Sequence, residues 1–355
     1  MILVDKYQND TIFSKEVRYY ISNFLFFISL ILVSCESSDI GNIQLSGETM
    51  GTTYLIKISD YDTNIRSLDE IRFKVDSTLK SINLQMSTYI TSSEISKFNN
   101  VGIMSISPSP KFLSVLEYAR DLSVSTKGLF DITVAPLVQL WGFGQKNSNW
   151  APPNKSDINQ LLGSIGNNTW SLSLGRLIKL NPNMEIDVNA IAKGFGVDII
   201  STLINSLGYN NYMVEIGGEV YCAGVNGNNE SWKIGIELPL FESRSLFNIV
   251  NMSESAMATS GDYRNYFSYN DKKYSHTINP KTGKPIEHSL ASATVISETC
   301  MDADGLATAL LVMGTENALG FIENKNDVEC LLIERTQNGS FKTFMSSGFG
   351  FYLSE

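Results

Sequence analysis

The segment that most constrains the fold is the stretch 300–314, CMDADGLATALLVMG. Its later half is apolar on every side and predicts a buried helix, whereas its first half carries Asp302 and Asp304. Side chains at i and i+4 of a helix share one face, so Asp304 and Thr308 would present a carboxylate and a hydroxyl side by side. Because both groups are oxygen donors, this pair could hold a hard cation.

The other elements predict an α+β protein. The chain has 355 residues, of which 43% are hydrophobic and 18% charged, enough for one or two substantial cores. Apolar periodicity predicts helices over 67 to about 85, 112 to about 126, and 191–207. Strands are predicted at 52–58, 212–216, 220–223, 232–237, 330–333 and 341–345. Helices and strands mix without regular βαβ spacing, which favours α+β over a parallel α/β sheet. The polar stretch 145–159 is predicted to be a loop.

The N-terminus resembles the leader of a bacterial lipoprotein. Lys6, Lys15 and Arg18 precede an apolar run at 24–33, which is too short to span a bilayer and is typical of a secretory signal. The sequence Leu-Val-Ser-Cys then ends at Cys35 and resembles a lipobox, whose cysteine is lipidated and becomes the first residue of the mature chain. A plain N-terminal apolar helix with a chance cysteine is the alternative.

These features predict three regions in the chain. They are a lipoprotein signal peptide at 1–34, a tether from lipidated Cys35 at 35–45, and one catalytic domain at 46–355. Lipidation would anchor the protein to a membrane, on the periplasmic side.

Charge and cysteine content exclude several classes of protein. The formal net charge is −10 with a pI near 4.9, so general nucleic-acid binding, which needs a basic surface, is not expected. Cys222, Cys300 and Cys330 have no metal-ligand spacing and are predicted to be buried small hydrophobic residues. One disulfide among them remains possible in an oxidising compartment.

Common catalytic motifs are absent from the sequence. The glycines at 142 and 144 do not continue into a dinucleotide-binding fingerprint, and 282–285 lacks the flanking residues of a P-loop. There is no H-E-x-x-H and no G-x-S-x-G. With only two histidines the chain cannot build a histidine-rich zinc site, so any metal is expected to be held by oxygen, as Mg²⁺ or Ca²⁺.

Each polar residue that stands out also has an ordinary structural interpretation. Asp187 or Asn189 alone is more often a helix N-cap than a ligand, and Lys193 alone usually lies on a solvated face. His276 beside Asn-Pro is as well explained as a turn residue as by a role as a base. Asp304 could be an acid that stabilises a helix start. None of these residues carries a functional hypothesis by itself.

Together, and in this order, the motifs resemble one family. They are MGTTY at 50–54, QMSTY at 85–89, SEIS-KFN at 93–99, FDITVAPLVQLWGFG at 130–144, DVNAIAKGFGVD at 187–198, VEIGGEV at 214–220, WKIGIELP at 232–239, ATSGDYRNY at 258–266, YSHTINPKTGKPI at 274–286, and CMDADGLATALLVMG. The chain is similar over roughly residues 46–350 to the ApbE family, the FAD:protein FMN transferases.

The resemblance implies an activity and its cofactors. Members bind FAD in a cleft between sub-domains of one unit of mixed sheets and helices. They use Mg²⁺ and transfer the FMN half of FAD to a threonine or serine hydroxyl of a target flavoprotein, with release of AMP. Many are lipoproteins that face the bacterial periplasm, in agreement with the lipobox.

The resemblance also implies site residues. The metal would be held by Asp304, Thr308 and the backbone carbonyl of Ala190. FAD contacts are expected from Met50, Tyr89, Leu129, Phe130, Asp131, Asp187, Lys193 and Ile278. Because an imidazole has a pKa of about 6.5, His276 is predicted to be the general base that accepts the proton of the target hydroxyl.

Two other functions remain open at this stage. One is Mg²⁺-dependent hydrolysis of FAD to FMN and AMP, in which water replaces the protein hydroxyl. The other is a flavin-binding lipoprotein without catalysis, although flavin storage would not require the metal-site residues. Only the two enzymatic functions release AMP.

Overall fold

The computed structural model describes residues 40–62, 66–143 and 150–354. Cys35 and the predicted signal peptide lie outside these residues. The helices are α1 Leu68–Met86, α2 Glu94–Asn99, α3 Pro110–Ser125, α4 Ala135–Leu140, α5 Lys155–Leu162, α6 Asn189–Ser206, α7 Cys300–Met313 and α8 Thr315–Ile322. The α+β prediction is confirmed.

The strands include all those that alternation predicted. They are β1 Ile40–Thr49, β2 Thr52–Asp62, β3 Ser105–Ile106, β4 Trp170–Ser173, β5 Arg176–Lys179, β6 Tyr212–Ile216, β7 Glu219–Ala223, β8 Trp232–Glu237, β9 Leu246–Met252, β10 Ser255–Gly261, β11 Tyr266–Tyr269, β12 Lys272–Ser275, β13 Ile278–Asn279, β14 Lys284–Pro285, β15 Leu290–Ser297, β16 Glu329–Arg335 and β17 Phe341–Met345. Eight of them form one antiparallel sheet in the order β1-β2-β6-β7-β10-β15-β16-β17.

The two faces of this sheet bury different cores, because successive side chains of a strand point to opposite faces. In β6, Val214 packs in a core that it shares with α1 and α6, whereas Met213 packs under the β8–β9 hairpin with Trp232. Helix α7 packs beside α6 and against β10 and β15, and most of its residues are fully buried. The apolar segment 300–314 is therefore an interior helix, as predicted.

Helices α6 and α7 approach each other closely at Gly194. A Cβ atom at this position would lie 2.8 Å from the Cβ of Asp304 and even nearer the Cys300 carbonyl. Only glycine fits there without displacing backbone, because real Cβ atoms do not approach neighbours so closely. This contact brings the first turn and a half of α6 next to the part of α7 that carries Asp304.

Two predictions about irregular segments were wrong. Residues 40–45 of the predicted tether belong to β1, which pairs with β2 along its length. Residues 155–159 of the predicted loop form the start of α5, where the Asn154 side chain accepts a hydrogen bond from the Asp157 amide. Residues 155–159 are mostly polar, so composition hid a helix that is ordered by its cap. Residues 40–45 include Ile40, Ile43 and Leu45, and this strand is ordered by its pairing with β2.

The cysteine prediction is confirmed for the folded unit. Cys222, Cys300 and Cys330 are buried free thiols, and no disulfide links them. Within the described ranges, no helix combines the length and the apolar character that crossing a membrane requires.

Candidate functional site

A cavity of about 1070 Å³ lies between the β1–β2 turn, α1 and the first turns of α6. Met50, Tyr89 and Lys193, three of the predicted FAD contacts, line it. The two turn residues Met50 and Gly51 both have positive φ, which gives β1 and β2 a two-residue hairpin connection. The turn places the Met50 side chain against α6, where a Cβ at Gly196 would lie 2.8 Å from its Cε.

At one end of this cavity lies a group of charged residues, Lys193, Glu219 and Asp304, referred to below as the Lys193 cluster. The Lys193 Nζ is 3.5 Å from Glu219 Oε1 and 3.7 Å from Asp304 Oδ1. Both acids are buried, with 4% and 3% of their surface exposed. The second oxygen of Glu219, Oε2, is buried and has no hydrogen-bond partner among the described residues.

The charges in the Lys193 cluster shift the pKa of each member. Burial raises the pKa of both Glu219 and Asp304, and the nearby ammonium opposes that rise. Burial would lower the pKa of Lys193, but the two carboxylates outweigh it and raise this pKa. The lysine therefore stays charged. The pKa of Glu219 is raised to about 8, so its carboxyl group is mostly protonated near neutral pH, and a cation bound beside Asp304 would displace that proton.

Of the three predicted metal ligands, Asp304 contacts the first turns of α6, the helix that carries Ala190, and Thr308 follows Asp304 by one turn of α7. Asp304 Oδ2 accepts a hydrogen bond of 3.0 Å from the Gly194 amide. In a regular α-helix, this same amide donates to the Ala190 carbonyl. One turn further along α7, Thr308 Oγ1 lies 3.0 Å from Ser260 Oγ. Within the described part of the chain, no three His, Cys, Asp or Glu side chains converge on one point. A carboxylate, a hydroxyl and a carbonyl are oxygen donors that suit Mg²⁺, so the residues present fit this ion.

The other acid of α7 has a structural role. Asp302 accepts hydrogen bonds from Tyr118 Oη, at 2.8 Å, and from Ser297 Oγ, at 2.7 Å. Its amide donates to Thr299 Oγ1, the N-cap of the helix. The two carboxylates that the sequence places two residues apart therefore point to different surroundings, and only Asp304 joins the Lys193 cluster.

His276 is half-buried in the loop between β12 and β13. Its Nδ1 lies 3.1 Å from the Asn265 carbonyl oxygen, which can only accept, so Nδ1 carries the proton and Nε2 is left as an acceptor. Burial lowers the pKa of this imidazole, and the positive charge of Lys193 lowers it further. A neutral imidazole with a free Nε2 is the form that a general base requires.

The predicted residues Asp131 and Asp187 serve first as local caps. Asp187 Oδ1 accepts from the Asn189 amide at 2.8 Å, and Asp131 Oδ1 accepts from the amide and the hydroxyl of Thr133. Burial raises the pKa of both acids. The Asp187 amide donates to the Ile132 carbonyl at 2.7 Å, which joins the loop after α3 to the start of α6.

The remaining predicted FAD contacts differ in their accessibility. Phe130 and Ile278 are only 2% and 5% exposed, and their side chains pack in two hydrophobic cores. A flavin cannot stack on the buried Phe130 ring, so contacts from these positions would have to involve the backbone. Leu129 is half-buried beside them.

Sequence reasoning missed Glu219 and Ser260 as site residues. Glu219 is the first residue of β7 and follows Gly217 and Gly218, which both have positive φ and form the tight β6–β7 turn. An acid at the start of an otherwise buried strand was the available signal. Ser260 ends β10 and gave no such signal, because its partner Thr308 is distant in sequence.

Comparison with known proteins places these residues in a family context. The sequence model described as the ApbE family matches residues 50–332. The chain is 40% identical over 327 residues to the FAD:protein FMN transferase of Vibrio cholerae, covering 92% of this chain and 97% of the relative. It is also 40% identical over 329 residues to the FAD:protein FMN transferase of Haemophilus influenzae, with 91% and 94% covered.

Solved structures show the same similarity in three dimensions. The flavin transferase ApbE from Vibrio cholerae superposes with a TM-score of 0.80 at 38% identity, covering 88% of this chain and 99% of that one. The apo form of the Pseudomonas stutzeri flavinyl transferase ApbE gives a TM-score of 0.79 at 32% identity, with 88% and 97% covered.

Proposed function

This chain belongs to the ApbE family, and from that premise we propose that it is a Mg²⁺-dependent FAD:protein FMN transferase. In the reaction, the oxygen of a threonine or serine hydroxyl attacks the FMN phosphorus of FAD and forms a phosphoester. The bond between that phosphorus and the bridging oxygen of the pyrophosphate breaks, and this oxygen departs as part of AMP. The hydroxyl loses its proton, and AMP leaves. The observation that carries the proposal is the Lys193 cluster, with its unpartnered Glu219 oxygen, at the end of a cavity of about 1070 Å³.

Transfer of a phosphoryl-type group depends mainly on positioning and on neutralising charge. The Lys193 ammonium lines the cavity and can pair with a pyrophosphate oxygen. Asp304, Thr308 and the Ala190 carbonyl would hold Mg²⁺. When bound, this ion would supply the remaining neutralisation of the pyrophosphate. The carboxylates of the cluster fix the position of Lys193 and keep it charged.

His276 provides the acid–base part of the reaction. The Asn265 carbonyl holds the proton on Nδ1, which leaves Nε2 as the nitrogen that can accept a proton. It would accept the proton of the attacking hydroxyl as the new phosphoester bond forms. Met50 and Tyr89, on the walls of the cavity, present a thioether and an exposed ring to the flat flavin.

The location of the enzyme is proposed from the sequence of its leader. Lipidation at Cys35 would hold the folded unit on the periplasmic side of a bacterial membrane, near membrane-bound or secreted flavoprotein acceptors. Mass spectrometry of the protein extracted from bacterial membranes tests this directly. An unmodified Cys35, or a Cys35→Ser variant with unchanged membrane association, would contradict the anchor.

The transferase proposal is tested with the purified protein, FAD and a candidate acceptor domain, each with and without Mg²⁺. Intact-mass spectrometry of the acceptor is recorded together with AMP release. We expect a Mg²⁺-dependent gain of one FMN group per acceptor, and no gain when the acceptor hydroxyl residue is replaced by alanine.

The same experiment separates the alternatives. AMP released at an equal rate with and without any acceptor, and with no modified acceptor, would support FAD hydrolysis in place of transfer. Flavin binding without AMP under every condition would overturn both enzymatic functions and leave a flavin carrier.

A further inference from the structure

The Thr308 hydroxyl on α7 is held by a residue from another element. Its only hydrogen-bond partner among the residues that the structure describes is the Ser260 hydroxyl on β10, with 3.0 Å between the two oxygens. A threonine inside a helix can donate instead to the carbonyl four residues before it. Thr202 on α6 does so, since its hydroxyl donates to the Asp198 carbonyl at 2.9 Å. Thr308 therefore departs from the ordinary local bond of a helical threonine.

The pair of hydroxyls lies where the buried interface between α7 and β10 opens. Successive residues of a strand alternate between faces, so Ser260 shares the α7 side of β10 with Ala258. Ala258 is fully buried, in the core that contains Leu306 of α7. Thr308 is partly exposed, whereas every other residue from 303 to 312 is buried. This end of the interface is therefore the one that a ligand can approach.

A hydroxyl that binds a metal ion needs a separate partner for its hydrogen. The threonine oxygen would offer a lone pair to Mg²⁺ and keep its hydrogen, which must point away from the ion. At 3.0 Å, Ser260 Oγ is placed to accept a hydrogen bond from Thr308. Partners of this kind orient metal ligands, and their loss costs roughly 10- to 100-fold in metal affinity.

We propose that Ser260 is a positioning residue for the metal site, an inference that rests on the proposed function, in which Thr308 is a ligand of Mg²⁺. Ser260 accepts a hydrogen bond from Thr308 and so keeps a lone pair of the threonine oxygen directed to the ion. Without the Ser260 hydroxyl, Thr308 can turn and donate to the Asp304 carbonyl in the preceding turn, as Thr202 does on α6. This rotation takes the oxygen out of the position in which it can bind the ion.

Calorimetric titration of the purified protein with MgCl₂ tests this role. Ser260→Ala should weaken Mg²⁺ binding about tenfold, because the ligand loses the partner that orients it. Ser260→Thr keeps the hydroxyl and should restore the affinity of the unaltered protein. Ca²⁺ tolerates irregular ligand geometry and Mg²⁺ does not, so Ser260→Ala should weaken Ca²⁺ binding only about twofold. An equal loss for both ions would contradict a role in positioning.

Thr259→Val is the matched control on the same strand. Thr259 points to the opposite face of β10, where its hydroxyl lies 2.8 Å from the hydroxyl of Thr294. The variant removes a bond of the same kind one residue away and should leave Mg²⁺ affinity unchanged. A loss equal to that of Ser260→Ala would mean that the strand, and not the Ser260 hydroxyl, determines the affinity. Melting temperatures close to that of the unaltered protein would show that each variant is folded.

A double-mutant cycle with Thr308→Val separates this inference from the proposed function. Thr308→Val should weaken Mg²⁺ binding about tenfold or more, and adding Ser260→Ala should cause no further loss, since both changes act through one hydroxyl. Additive losses would overturn the positioning role. A loss in Thr308→Val without one in Ser260→Ala would also overturn it and leave the proposed metal site intact. Unchanged Mg²⁺ affinity in Thr308→Val would overturn the proposed metal site itself.

Discussion

Helix α6 separates two acidic regions that neutralise buried charge in different ways. In the Lys193 cluster, Glu219 and Asp304 lie beside an ammonium group on a flexible side chain. On another flank of α6, Asp198 accepts hydrogen bonds from two backbone N–H groups at the start of α7. Lys193 and Asp198 are five residues apart, which places them about 140° apart around the helix.

The way in which each acidic region is neutralised indicates a different role for each. Two peptide N–H groups fixed at a helix N-terminus cannot move away, so Asp198 locks the position of α7 relative to α6. An ammonium group can shift between two carboxylates and an incoming phosphate, so the Lys193 cluster can rearrange when a substrate or a metal arrives. Asp198 therefore fixes the packing of α7 on α6, whereas the Lys193 cluster can rearrange around a substrate or a metal.

The largest expected effect separates the two carboxylates of α7. Asp304→Asn should lower transfer activity by about 10³-fold and abolish its dependence on Mg²⁺, because a charged metal ligand is lost and several kcal/mol of charge stabilisation go with it. Titration of Mg²⁺ by calorimetry and AMP release measure the two effects. Asp302→Asn is the matched control on the same helix and should keep Mg²⁺ affinity, since Asp302 is bound by Tyr118 and Ser297. Equal Mg²⁺ affinity in the two variants would refute the site.

The next effect concerns His276 and its pH dependence. His276→Gln should lower transfer by about 10²-fold and leave FAD affinity intact, because a general base is lost without a binding group. The base acts when neutral, so activity should fall as pH drops through the pKa of His276. Burial lowers this pKa, which puts the acid limb of the rate profile below 6.5. An unchanged acid limb in the variant would remove His276 from the mechanism.

A smaller effect tests the residue that the sequence did not reveal. Glu219→Gln should weaken Mg²⁺ binding about tenfold, because glutamine cannot release a proton and become negatively charged when a cation binds near Asp304. Glu254→Gln removes a charge from the exposed turn between β9 and β10 and should leave Mg²⁺ affinity unchanged. Calorimetric titration of both variants with Mg²⁺ checks the comparison. Equal losses of Mg²⁺ affinity would mean that the acids on both flanks of α6 contribute to binding of the ion.

The smallest effect tests the structural role of the start of α7. Thr299→Ala should lower the free energy of unfolding by about 1 kcal/mol, because the Thr299 hydroxyl accepts the Asp302 amide as the N-cap. Urea denaturation measures this loss. Mg²⁺ affinity, measured where the variant is fully folded, should not change. A large loss of affinity would show that the cap and the proposed metal site are coupled.

Much of the fold followed from periodicity. The helix that starts after Ser67 and the strands 212–216, 232–237 and 341–345 agree with observed elements, because their alternation or capping signals are local. Local sequence signals did not lead to the prediction of β1, which is held in place by its pairing with β2. They also failed for α5, where polar composition outweighed the Asn154 cap.

The sequence predicts the geometry of the proposed site only where its residues share one helix. Asp304 and Thr308 lie one turn apart, so helical geometry alone puts them on one face. Ser260, which contacts Thr308, lies on β10, and Glu219, which contacts Lys193, lies on β7. These strands are distant in the chain from their partners, so no local sequence pattern predicts the contacts. Phe130 and Ile278 were predicted to contact FAD from their places in the motifs. The sequence did not reveal that both side chains are buried in hydrophobic cores.

The sequence by itself determined the class of the fold and the family, and it predicts oxygen ligands for the proposed metal site, because these depend on residue type, spacing and order. Only the tertiary structure decided which acid does what. Asp302 binds Tyr118, Asp198 caps α7, and Glu219 joins Lys193 with one oxygen that has no partner in the described part of the chain. Burial and the nearest positive group set the behaviour of a carboxylate, and both are fixed by elements that meet only when the chain folds.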